Sequence, residues 1–100
     1  MNNTTDPTHI NIRGKDGRVI ESLPILRTVT IKGVPGFCIH AYMGEYRVSH
    51  LETGGYLCRG ITDGEAFVIA RRFSKEEIEE KVSGTRREQA RLRALQKQGE

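Results

Sequence analysis

The stretch from Phe37 to Phe73 constrains the fold more than any other. It reads as three short alternating segments, F-C-I-H-A-Y-M, Y-R-V-S-H-L and Y-L-C-R-G-I, separated by Gly44-Glu45 and E-T-G-G. An amphipathic run, T-D-G-E-A-F-V-I-A-R-R-F, follows at once. Alternation with period two marks half-buried strands. Gly44-Glu45 suits a two-residue hairpin turn of type II′, with glycine at its first central position. Thr62 and Glu65 form a capping box that marks the start of a helix. The expected class is α+β: an antiparallel sheet of three to four main strands, one packed helix and a helical C-terminal extension.

The turns set a pairing. A turn at Gly44-Glu45 puts Met43 opposite Tyr46, Tyr42 opposite Arg47 and His40 opposite Ser49. A loop over Glu52 to Gly55 puts Leu51 opposite Tyr56 and Ser49 opposite Cys58. One face then carries Phe37, Ile39, Ala41, Met43, Tyr46, Val48, His50, Leu57, Arg59 and Ile61. The other carries Cys38, His40, Tyr42, Arg47, Ser49, Leu51, Tyr56 and Cys58. The helix covers the first face with the stripe Ala66, Ile69, Ala70 and Phe73. The second face is polar and wet, the ordinary arrangement for an antiparallel sheet.

The flanks read as follows. Residues 1–7 are polar and expected to be disordered, residues 8–73 form the sheet-and-helix domain, and residues 74–100 form a helical, basic C-terminal extension. Thr8 to Arg13 alternates, residues 14–17 form a turn cluster, and Arg18 to Ser22 is a possible return strand, giving an optional N-terminal hairpin. Pro24 punctuates the chain. Ile25 to Lys32 is a strand that pairs with Phe37 to Met43 across a turn at G-V-P-G, with Val29 and Ile31 on the covered face. Ser74 and Glu77 cap a short helix ending near Val82, and Ser83-Gly84 breaks it. Thr85 and Glu88 cap a third helix, from Arg86 to about Lys97, whose apolar stripe is Ala90, Leu92, Ala94 and Leu95.

One hundred residues make one domain with a small core. With 36% apolar residues and a mean hydropathy of −0.52, the chain is less apolar than a tightly packed globule and more so than a disordered one. It has no run approaching the ~18 apolar residues of a membrane span and no apolar leader near Met1, so a cytoplasmic location is expected. Cys38 and Cys58 share a face two strands apart, about 10 Å by strand spacing, beyond the ~7 Å Cα separation of a disulfide. The formal net charge is +3. Residues 74–84 carry a local charge of −2 and residues 85–100 a local charge of +3, so the excess lies in the tail.

Few residues suggest chemistry. Cys38, His40, His50 and Cys58 lack the spacing of a zinc site, and His50 falls on the face away from the other three. Cys58 and His40 share a face, but two strand spacings separate a thiol from its base. There is no glycine-rich phosphate loop and no paired-carboxylate cleft. No enzyme activity, metal or cofactor is expected. Two features suggest binding. Tyr42, Tyr56, Arg47 and His40 on the polar face suit stacking on bases and contact with phosphates. In the tail, Arg86, Arg87, Arg91 and Arg93 form a basic helix in which Arg87 and Arg91 share one side, as do Arg93 and Lys97. Leu92 and Leu95 offer a docking stripe for another protein.

The run Y-R-V-S-H-L-E-T-G-G-Y-L-C-R-G-I-T-D-G-E-A resembles short β-β-β-α domains in outline. These include the arm-type DNA-binding domains of tyrosine integrases and small uncharacterised proteins of phages and plasmids. The likeness spans about residues 37–73 and rests on Gly60, Thr62, Glu65 and Ala66. It implies a three-stranded sheet laid against DNA. The expectation is a small non-enzymatic binding protein of phage or mobile-element origin, contacting nucleic acid through Tyr42, Arg47, Tyr56, Arg86, Arg87, Arg91 and Arg93. The alternative is a protein-binding inhibitor or adaptor, for instance against a host defence complex, using the sheet face or Leu92 and Leu95.

Overall fold

A computed structural model describes residues 7–98. The expected disorder of residues 1–7 falls, for residues 1–6, outside the described residues. Among the described residues, five strands form one antiparallel sheet in chain order: β1 (His9–Arg13), β2 (Val19–Ile31), β3 (Val34–Tyr42), β4 (Glu45–His50) and β5 (Tyr56–Gly60). Two helices follow, α1 (Asp63–Ala70) and α2 (Lys75–Gln98). The class is α+β as expected, with more strands because the N-terminal hairpin joins the sheet.

The β3–β4 turn sits one residue earlier than glycine placement suggests. Tyr42 faces Glu45 and His40 faces Arg47, so the turn residues are Met43 and Gly44, with φ of 51° and 82°. Positive φ at both positions is the type I′ geometry, whose twist matches that of paired strands. Lys32-Gly33 makes the same turn between β2 and β3, with φ of 52° and 80°. The expected turn at residues 33–36 is therefore displaced, and Val34 begins a strand. The β3–β4 pairing shifts by two residues, so its face assignment survives.

The β4–β5 pairing shifts by one residue, and there the faces change. Arg47 faces Arg59 and Val48 faces Cys58, but Ser49 faces Tyr56, with Leu57 as the extra residue of a bulge. Leu57 and Cys58 both enter the core, while Arg59 turns to the polar face. Strict alternation assigns Cys58 and Arg59 the other way round, because one inserted residue flips every later side chain. Met43 and Ile61, placed on the covered face by alternation, are exposed, Met43 in the β3–β4 turn and Ile61 in the bend that precedes α1.

β2 is continuous through Pro24, the expected break in the chain. Val19 to Pro24 pairs with β1 and Ile25 to Ile31 with β3. Pro24, which has no N–H to give, sits at this changeover. The sheet curls so far that Gly54, in the β4–β5 loop, meets β1: a Cβ there would run into the Asn11 carbonyl oxygen. By register Ile10, Leu23, Ile25, Cys38, His40 and Ser49 share the inner face of this curl, and Ile10, Cys38, His40 and Ser49 are buried. The centre of the polar face is thus covered rather than wet.

On the other face Val29, Ile31, Phe37, Ile39, Val48, Leu57 and Cys58 meet Ala66 and Ala70 of α1 and Ile78 and Val82 of α2. Thr62 Oγ1 accepts the Glu65 N–H at 3.1 Å, and the Glu65 carboxylate accepts from the Ile61 N–H at 2.7 Å. Ser74 and Glu77 exchange both bonds of the second capping box. The break at Ser83-Gly84 and the separate third helix are not formed: α2 runs unbroken. The β4–β5 loop approaches it closely through Gly55, where a Cβ would stand 3.0 Å from Thr85 Oγ1. Thr85 donates back to the Lys81 carbonyl at 2.9 Å instead of capping a new helix. Gln89 donates to the Thr53 carbonyl and Gln96 to the Asp16 carbonyl. These contacts offset the roughly 1 kcal/mol helical penalty of Gly84. Among the described residues no helix is long and apolar enough to cross a membrane.

Candidate nucleic-acid interface

Tyr42 at the end of β3, Arg47 in β4 and Tyr56 at the start of β5 converge on the outer part of the polar face. The guanidinium carbon of Arg47 lies 4.5 Å from the Tyr42 ring centroid and 4.6 Å from that of Tyr56. A planar cation between two rings is attracted by the π-face of each. Glu45 accepts from Arg47 Nε at 3.0 Å and pairs with Arg59 at 3.7 Å. Arg47 is mostly enclosed, its side chain 24% exposed, whereas Arg59 is 63% exposed. Tyr56 is half exposed. The three sheet residues singled out from sequence are therefore together. Arg59 escapes sequence reasoning because only the bulge brings it beside Arg47, and no residue pattern announces that bulge.

Beneath this cluster His40 is locked. Its Nδ1–H donates to the Ala41 carbonyl at 3.2 Å, which leaves Nε2 to accept from the Ser49 hydroxyl at 2.8 Å. Burial, with Arg47 nearby, holds the imidazole below its ordinary pKa, partly opposed by the Ala41 carbonyl. It is a structural group rather than a ligand for phosphate. His50, on the opposite face, bonds Thr53 at 3.0 Å, and burial lowers its pKa as well. Both cysteines are free and buried. Burial pushes each thiol up to about 11. Cys58 donates to the Ala66 carbonyl at 3.3 Å. Cys38 and Cys58 lie on opposite faces, not on one, and His40 and Cys58 are likewise separated by the sheet. Among the described residues no three His, Cys, Asp or Glu side chains group as metal ligands.

The tail arginines do not converge on this face. Arg86 pairs with Glu52 of the β4–β5 loop, its Nε donating at 3.2 Å. Arg87 reaches Glu80 at 2.9 Å, and Arg91 clasps Glu88. Arg93 has no ion pair among the described residues. Leu92 turns inward against the β1–β2 turn, where its Cδ1 would lie 3.4 Å from a Cβ on Gly17. Leu95 is half exposed. The two leucines thus do not form one free stripe.

Comparison of the chain with known families, with characterised proteins and with solved structures finds no match, so the assignment of this face rests on its own geometry.

Proposed function

We propose that this chain is a small non-enzymatic module that binds unpaired nucleotides through Tyr42, Arg47, Tyr56 and Arg59. The observation that carries this reading is the Arg47 guanidinium held between Tyr42 and Tyr56, beside an exposed Arg59. The stack fixes the Tyr56 ring before a ligand arrives, so little side-chain entropy is lost on binding. An exposed ring accepts any base on its π-face, and Arg59 reaches the adjoining phosphate. Arg47 and Arg59 against Glu45 leave this patch a single net positive charge. A surface so weakly charged favours stacking on single strands over neutralising a duplex. In the tail, Arg93 and Lys97 add a general attraction, while Arg86, Arg87 and Arg91 must first give up Glu52, Glu80 and Glu88. A cytoplasmic setting and a phage or mobile-element origin belong to the same proposal; buried reduced thiols fit the former.

The test is fluorescence anisotropy with labelled single-stranded DNA, single-stranded RNA and duplex DNA across a salt series. Single strands are expected to bind more tightly than duplex. Tyr56→Ala is expected to weaken them by about 1–3 kcal/mol, and Arg59→Ala to flatten the log affinity against log salt slope by about one unit. No binding at low salt, or both variants binding like the parent, overturns the reading. A protein-binding inhibitor or adaptor role is the second reading, favoured by the half-exposed Leu95 on α2.

A further inference from the structure

β2 has its two neighbours in succession rather than side by side. Val19 to Pro24 lies against β1, and from Leu26 onward, among the described residues, β2 pairs only with β3. The last bond on the β1 side runs from the Ile25 N–H to the Thr8 carbonyl, at 3.1 Å. Among the described residues no strand flanks the outer edge from Leu26 to Ile31. In an antiparallel strand, alternate residues direct their N–H and C=O groups to each side. The segment L-R-T-V-T-I ends in four consecutive β-branched residues, holds no proline and carries Arg27 as its single charge. Proteins normally protect such an edge.

A second observation concerns charge. The Arg27 guanidinium carbon lies 5.3 Å from the Phe67 ring centroid and that of Arg71 lies 5.8 Å from it. Two cations therefore share one ring. Neither has a carboxylate partner among the described residues, nor has the adjacent Arg72, whereas Arg18, Arg47, Arg59, Arg86, Arg87 and Arg91 all do. Beside them a groove of about 410 Å³ opens between Pro7, Thr8 and Leu26. Leu26 is half exposed there.

We propose that the β2 edge from Leu26 to Ile31 docks an extended acidic segment of a partner protein by strand addition, with carboxylates reaching Arg27 and Arg71. A backbone ladder selects a peptide, because a sugar-phosphate chain cannot pair with it. The guanidinium pair selects carboxylates within that peptide. A second copy of this chain is disfavoured, because pairing the two edges brings like charges into one ladder. The proposal is independent of the tyrosine-arginine face, which points away from α1.

The test uses the full chain and an acetylated nonapeptide alternating valine with glutamate, with its valine-lysine counterpart as control. The acidic peptide is expected to slow amide hydrogen exchange within residues 26–31, and the lysine peptide is not. Arg27→Glu with Arg71→Glu is expected to weaken the acidic peptide by roughly tenfold or more, while Tyr56→Ala leaves it unchanged. Equal effects of the two peptides, or none, overturn the proposal. So do outward edge amides already protected in the free chain: loss of that protection on deleting residues 1–6 assigns the edge to the chain's own N-terminus, and loss on dilution assigns it to a second copy.

Discussion

A Cβ on Gly60 would stand 2.5 Å from the backbone nitrogen of Ala66 and 3.0 Å from its Cα. β5 therefore ends with its backbone directly against the first turn of α1, and no side chain can yield to relieve a larger residue. Gly60→Ala is expected to destabilise the fold by about 3 kcal/mol, at the upper end of overpacking. A Cβ on Gly64, one turn away, would meet nothing within 4 Å, so Gly64→Ala is expected to be neutral or to stabilise by up to about 1 kcal/mol. Urea unfolding of both variants measures the contrast; equal midpoints would show that the approach is not tight in solution.

Acid should loosen the sheet through its two buried histidines. His40 and His50 have pKa values below the ordinary 6.5, mainly because both are buried. The unfolded chain then binds protons that the folded chain refuses. Stability is full above pH 6.5 and falls as the pH drops through the depressed values, by at most about 1.4 kcal/mol per pH unit for each histidine. The exposed Glu52, Glu77 and Glu88, whose pKa values lie below 4.5, act only at lower pH. Urea midpoints measured between neutral and mildly acidic pH should decline, and His40→Gln should make that decline shallower. A flat profile in the parent would contradict the burial of both imidazoles.

The thiols should be silent. Cys38 and Cys58 have pKa values of about 11 because burial disfavours the thiolate. Since the ordinary value is 9.0, the stability gained by burying neutral thiols is intact below pH 9 and is lost as the pH rises from 9 towards 11. Alkylation in mildly alkaline buffer should be slow in the folded chain and fast in denaturant. Prompt labelling of either cysteine without denaturant would mean that the sheet opens easily.

The unbroken α2 makes three variants behave differently. A Cβ on Gly84 would meet only the far end of Arg87, at 3.8 Å, so Gly84→Ala should stabilise by about 0.5–1 kcal/mol. Leu92→Ala removes the contact with the β1–β2 turn and should destabilise by about 1–2 kcal/mol. Leu95→Ala, at an exposed site, should stay within about 0.5 kcal/mol of the parent. Thermal unfolding followed by circular dichroism separates the three. If Leu92→Ala matched Leu95→Ala, the C-terminal half of α2 would not be docked.

Much of the architecture is legible in the chain because it depends on local rules. Thr62-Glu65 and Ser74-Glu77 cap helices through bonds spanning three residues, and the alternation of Phe37, Ile39 and Val48 survives a two-residue change of register. Tyr42, Arg47 and Tyr56 fall on one face for the same reason. Gly60, Thr62, Glu65 and Ala66 serve turn, cap and close-packing geometry here.

The order of elements, the starts of both helices and the inward stripe of α1 follow from the residues alone, because hydrogen bonds and periodicities acting within a few positions set them. The bulge at Leu57, the curl that buries Cys38, His40 and Ser49, the passage of α2 through Ser83-Gly84, and the pairing of tail arginines with Glu52, Glu80 and Glu88 emerge only when the chain is folded. Each depends on segments distant in the chain or on one inserted residue. A local cost, such as a mid-helix glycine, is overridden there by packing that no window of sequence contains.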